Sequence, residues 1–197
     1  MELFPSSSPR NRVLQAALEV FAEKGYHEAT MDEVAKVAQV SKGALYLHFP
    51  SKQALFASLL ESATELLVNT MCQAMEKHSS QRQRMYAAIQ AAFALFQEYR
   101  TLARLAFLRI GTNPLIERKI MEAHQRITDL IEEELRAACA ANNLPPQNLS
   151  LLALMWTGAI YEVLVWWLYQ EKAPDLLSLV DPLYEILLRT LQLSPEA

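Results

Sequence analysis

The sequence predicts an all-α protein, with a small N-terminal helix-turn-helix head (residues 1–51) and a C-terminal helical bundle (52–197). Three observations carry that prediction. Leu (32) and Ala (27) supply 59 of the 197 residues against 25 for Val, Ile and Thr together, so straight-chain helix formers dominate β-branched strand formers. Apolar residues recur with the 3.6-residue period: Val13, Ala17, Val20 and Phe21 share one face, then Met85, Ile89, Phe93 and Phe96, then Ile116, Ile120, Ile127, Ile131 and Leu135. Breakers at Gly25, Phe49-Pro50-Ser51, His78-Ser79-Ser80, Gly111 to Pro114, Asn142 to Pro146 and Pro174 cut the chain into helix-length pieces.

Taken in order, the first helix ends near Gly25. Thr30 with Glu33 forms a capping box for a second helix, Ser41 caps a short third, and Ser51 opens a long fourth. The second and third are about two turns each, joined by Ala38-Gln39-Val40. Val34, Val40, Leu45 and Phe49 can close a small core against Val13, Val20 and Phe21, which makes this segment a helix-turn-helix with a supporting first helix. Further on, Asp181 before Pro182 reads as the cap and first position of the last helix.

Leu149 to Tyr169 holds one charge, Glu162, in 21 residues, the length of a membrane span. A carboxylate inside the run and the lack of Lys/Arg clusters at its ends argue instead for a helix buried by its own bundle and by a partner subunit. No basic, then apolar, start marks a secretory signal, and two distant cysteines, Cys72 and Cys139, make no disulfide framework, so a reducing cytoplasm is expected.

Several function classes are excluded. The 4 glycines are too scattered for a phosphate-cradling loop. His27, His48, His78 and His124 form no metal-ligand spacing, and no nucleophile elbow occurs, so no catalytic residues, metal or cofactor are expected. Net charge is −4, yet residues 1–56 hold six Lys/Arg and six Asp/Glu, which leaves the acidity in the body and a head whose cations can act locally. The third helix is crowded with groups that contact phosphate or bases: Ser41, Lys42, Gly43, Tyr46 and His48. Lys42 and Lys52 stand beside helix starts, where a cation gains nothing from the dipole, and phosphate would explain them.

The run from Arg12 to Phe56 combines an AA-x-x-x-F-x-x-x-G-Y opening, an A-x-x-A spacing, S-K-G-x-L-Y-x-H-F and a closing K-x-x-L-F. In these it resembles the DNA-binding head of the TetR family of bacterial transcriptional regulators. The resemblance implies nine or ten helices, a divergent helical body that binds a small ligand, and a two-fold dimer. By the same resemblance Thr30 falls at a phosphate-contacting helix start, Ser41, Lys42, Gly43 and Ala44 at the start of the recognition helix, and Tyr46, His48 and Lys52 in a phosphate clamp. Two positions depart from the pattern. Gln39 replaces the usual turn glycine, which costs about 1 kcal/mol if its φ is positive, and Leu47 replaces a frequent tyrosine.

In the body, aromatics gather at Phe93, Phe96, Tyr99 and Phe107 and again at Trp156, Tyr161, Trp166, Trp167 and Tyr169. The ligand-binding candidates are Phe93, Phe96, Arg104, Phe107, Met121, His124 and Trp156: apolar lining, with Arg100, Arg104 and Arg109 as partners for an anionic group and His124 as a core or pocket histidine. The dimer candidates are Gly158, Leu183, Leu187 and Leu191. The expected protein is a cytoplasmic homodimer that binds a palindromic double-stranded DNA operator, most simply a repressor released by an apolar or amphipathic small molecule. The rivals are a helical adaptor using the head for protein contacts and a membrane-associated helical protein.

Overall fold

Side-chain caps decide where the first helices begin. The computed structural model describes residue 4 and residues 8–107, 113–144 and 148–191. Among these residues it contains nine α-helices and no strand: α1 (Pro9–Glu28), α2 (Met31–Val37), α3 (Lys42–His48), α4 (Lys52–Met75), α5 (Gln81–Glu98), α6 (Arg100–Phe107), α7 (Pro114–Ala141), α8 (Leu149–Tyr169) and α9 (Val180–Thr190), with a 3-10 turn at Leu176–Leu179. The three expected caps are in place. Thr30 Oγ1 accepts from the Glu33 N–H while Glu33 accepts from the Thr30 N–H, Ser41 Oγ accepts from Ala44, and Ser51 Oγ accepts from Ala54. Arg109 and the Gly111 break lie outside the described residues.

The chain folds as two compact units, residues 1–64 with 101–122 and residues 65–100 with 123–197. Helix α4 runs without a break from Lys52, and its first turns, Leu55, Phe56, Leu59 and Leu60, are buried. Phe56 meets Phe21 and Tyr26 at ring-centroid distances of 5.6 and 5.0 Å, so the long helix is built into the head's own core. Val13, Leu14, Val34, Leu45 and Phe49 complete that core, each worth roughly 1.5–3 kcal/mol in burial. At Gly25, φ is 78°, a left-handed value that only glycine takes at little cost, and the turn it makes delivers Tyr26 to the ring cluster.

In the second unit, Met71, Met75, Ala88 and Ala92 form a buried cluster with Leu67, Cys72, Phe96, Ile127 and Leu130 packed against it. Polar ties cross this interior. Arg84 forks onto buried Glu134 (Nε to Oε2 3.0 Å, Nη2 to Oε1 2.7 Å), joining α5 to α7. Thr128 and Thr157, both buried, bond at 3.1 Å between α7 and α8. One sequence expectation fails here, and one helix end carries no sequence signal. Asp181 caps nothing, because α9 starts at Val180 straight from the 3-10 turn and the Asp181 carboxylate instead accepts the Tyr86 hydroxyl at 2.6 Å. No breaker marks Tyr99, yet α5 ends there. Arg100 next to it donates to the Gln170 and Trp167 carbonyls and lies 4.6 Å from the Trp167 ring centroid, while Gln97 accepts from the Leu176 N–H.

Helix α8 is long and apolar enough to span a membrane, but its own bundle covers one face only. Leu152, Ala153, Trp156, Thr157, Leu164, Trp167 and Leu168 are buried. Leu151, Leu154, Met155, Tyr161, Trp166 and Tyr169 are exposed, as is Ile186 on α9. Expectation placed Leu183, Leu187 and Leu191 at a subunit contact. All three are buried within the chain itself, because α9 turns its leucine face inward and presents Glu185, Ile186 and Arg189 outward.

Candidate nucleic-acid interface

Helix α3 is short, and only Leu45 among its residues is fully buried. That one anchor leaves Lys42, Gly43, Tyr46, Leu47 and His48 exposed on a helix of seven residues. Leu47 is 83% exposed, an apolar side chain with no packing role in the chain. A Cβ added to Gly43 would meet nothing within 4 Å. A helical glycine costs roughly 0.8–1.0 kcal/mol relative to alanine, and no neighbour among the described residues requires its small size. Ala44, half-buried, lies beside it. The turn that aims α3 is the strained one foreseen: Gln39 has φ 54°.

Gln39→Gly should therefore relax the head. The left-handed penalty of about 1–2 kcal/mol disappears, offset by about 0.4–1 kcal/mol of added unfolded-state freedom. A net gain of up to about 1.6 kcal/mol would slow exchange of the buried Val34 and Leu45 amides up to roughly fifteenfold. Unchanged exchange would show that the turn is not strained.

The cations of this face are partly engaged. Lys42 pairs with Asp32 at 2.8 Å, both side chains exposed, and the carboxylate raises the lysine's pKa. Lys24 pairs with Glu33. That ammonium, then the Thr30 backbone N–H and hydroxyl, hold the Glu33 carboxyl down at about 2. Thr30 thus spends its hydroxyl and N–H on its own cap, which fixes the start of α2 and leaves the next backbone N–H groups for an outside acceptor. Lys52 differs from the expected phosphate clamp. Its ammonium donates to the carbonyls of His27 (2.8 Å) and Ala29 (2.9 Å) and sits 4.9 Å from the Tyr26 ring centroid, so it ties α4 to the end of α1. Sequence reasoning missed this because the partners are 23 and 25 residues away.

The body candidates divide between the two units, Arg104, Phe107 and Met121 in the first and Phe93, Phe96, His124 and Trp156 in the second. Phe93 and Trp156 are buried, the latter donating Nε1 to Thr190 Oγ1 at 2.9 Å, and Phe96 packs on the methionine–alanine cluster. Phe107 is half-buried and Arg104 exposed. Met121 is 71% exposed, and His124 is exposed too, with its ring 6.4 Å from that of Tyr161. The core role expected of His124 does not hold in the chain, because its side chain is exposed. His124 stands one turn before the buried Thr128, whose hydroxyl donates to the His124 carbonyl at 2.9 Å, on the same face of α7 as Ile116, Thr128, Glu134, Leu135 and Ala138.

With this geometry in view, comparisons with known proteins are decisive. Residues 13–59 match the family model for bacterial regulatory proteins of the tetR family, and residues 60–190 match the model for the C-terminal region of YsiA-like proteins. The chain belongs to the TetR family. The TetR head match takes in most of α1, all of α2 and α3 and the first two turns of α4, the same turns whose Phe56 enters the head core.

Among TetR relatives, the transcriptional activator FasR of Mycolicibacterium smegmatis is 37% identical over 128 residues, 64% of this chain and 58% of that one. The fatty acid degradation regulator FadR of Bacillus halodurans superposes with a TM-score of 0.83 at 24% identity over 92% of this chain and 95% of that one. FadR of Bacillus subtilis, solved in complex with stearoyl-CoA, gives 0.81 at 24% identity over 89% and 96%. At that identity the two structures establish the fold. The protein is thus a TetR-family transcriptional regulator with a DNA-binding head, and not an enzyme.

Proposed function

We propose that this TetR-family regulator is a cytoplasmic homodimeric repressor that binds a palindromic operator and leaves it when a long-chain acyl group, free or as its CoA thioester, occupies the body. The observation that carries the effector class is the interior cluster of Met71, Met75, Ala88 and Ala92 with Leu67, Phe96, Ile127 and Leu130. Alanines leave room between helices and methionines re-pack around a flexible apolar chain, while the polar groups of this interior, Arg84 with Glu134 and Thr128 with Thr157, are already bonded to one another. The stearoyl-CoA bound by FadR supports the same class. The dimer is supported by the exposed Leu151, Leu154, Met155, Trp166 and Tyr169 on α8, an apolar stripe that a second copy would cover.

Release needs only that the effector binds better to the arrangement of heads that no longer matches half-sites about 34–36 Å apart. Anisotropy of a labelled duplex from the regulator's own upstream region tests this with CoA, acetyl-CoA and stearoyl-CoA. Release by stearoyl-CoA alone is the expected result. Equal effects of all three, or none, would overturn the acyl reading. A second reading, activation, is favoured by the name of FasR. Transcription in vitro decides it: a repressor lowers transcript without effector, whereas an activator raises it.

A further inference from the structure

The six cations of residues 1–56 are Arg10, Arg12, Lys24, Lys36, Lys42 and Lys52, and their surroundings are unequal. Lys24 and Lys42 carry carboxylates, and Lys52 is bonded to two carbonyls. Lys36 lies in the last turn of α2, where the helix dipole alone accounts for a cation. Arg12 is exposed, and no contact holds its side chain in place among the described residues. Arg10 is different. It is exposed in the first turn of α1, and its guanidinium carbon lies 5.9 Å from the centroid of the Phe49 ring. Phe49 is the residue that closes α3, and its ring is 6.4 Å from that of the exposed His48.

A guanidinium over a ring face spends its π surface and leaves its in-plane N–H edge for another acceptor. Among the described residues no carboxylate or carbonyl takes that edge. The start of α1 therefore brings an oriented, charged fork to the C-terminal edge of α3. A planar fork of this kind matches a phosphodiester better than a base edge, and phosphate contacts fix register without reading sequence.

We propose that Arg10, stacked on Phe49, is a backbone-phosphate contact of the DNA-bound head, holding the strand next to the C-terminal end of the recognition helix. The inference rests on the DNA-binding reading above but not on its effector or its operator. Because the contact is to phosphate, a random-sequence duplex of about 30 base pairs is a sufficient probe, with the full-length protein titrated by anisotropy across a salt series. Arg10→Ala should flatten the slope of log K against log salt by roughly 0.9 per subunit and weaken binding several-fold. Arg10→Lys, which keeps charge but not the fork, should restore the slope with only part of the affinity. Arg12→Ala should change the slope little.

An Arg10→Ala slope equal to wild type would reduce the stack to a packing contact and overturn the proposal. An equal loss in Arg12→Ala would also overturn it, since the Phe49 stack would then select nothing. A wild-type protein that binds no duplex at all would defeat the DNA-binding reading itself, a separate outcome read in the first titration.

Discussion

Gly158→Leu is expected to give a folded monomer. Gly158 is exposed on α8, and a Cβ there would meet nothing within 4 Å in the chain, so leucine gains up to about 1 kcal/mol of helix propensity in an isolated subunit. If a partner's helix packs against that point, the same side chain holds the two backbones apart. Sedimentation should show a dimer for wild type at micromolar concentration and a monomer for the variant. Binding to a duplex with two half-sites should fall by about 10²–10⁴, because the second head no longer binds intramolecularly. Met155→Glu, one turn away and 54% exposed, should do the same by charge. Dimers in both variants would place the subunit contact elsewhere. Leu187→Glu is unsuitable for this purpose, since Leu187 is 3% exposed and a carboxylate there would unfold the bundle.

The second large effect concerns the ion pair between α5 and α7. The Glu134 side chain is 10% exposed and Arg84 26%, with both oxygens of the carboxylate engaged. Glu134→Ala strands the guanidinium, and about 3 kcal/mol should be lost. Arg84→Met with Glu134→Leu should recover most of it, because two apolar groups of similar volume need no partners. Trp156, Trp166 and Trp167 all lie on α8, so urea unfolding followed by tryptophan fluorescence reads this unit directly. A loss under about 1 kcal/mol in Glu134→Ala would mean the pair is effectively solvated.

What the sequence disclosed divides along sequence distance. Thr30, Ser41 and Ser51 were legible as helix starts because a cap acts over three residues. The positive φ of Gln39 was raised as a possibility because the residue stands where the TetR pattern has glycine, and φ is 54° there. The end of α5 at Tyr99 was not, since the contacts that fix it come from Trp167, Gln170 and Leu176, some 70 residues on. Lys42 and Lys52 were expected to hold phosphate, and in the chain each already has a partner of its own. Which partner depended on Asp32, His27 and Ala29, and these were visible only in three dimensions. On α8 nearly every position is apolar, so no periodicity distinguishes the face that packs inside from the face that stays open. On α9 the leucines were read correctly as apolar and assigned to the wrong side.

The fastening of Lys52 has a mechanical consequence. Its ammonium grips the His27 and Ala29 carbonyls and the face of Tyr26 from the very first residue of α4, and Phe56 one turn later is wedged between Phe21 and Tyr26. A joint pinned at both places has little backlash. Within the first unit the opening turns of α4, Lys52 to Leu60, are therefore fastened to α1, and through the shared core to α2 and α3, so this part of the chain moves as one piece instead of flexing at a soft hinge.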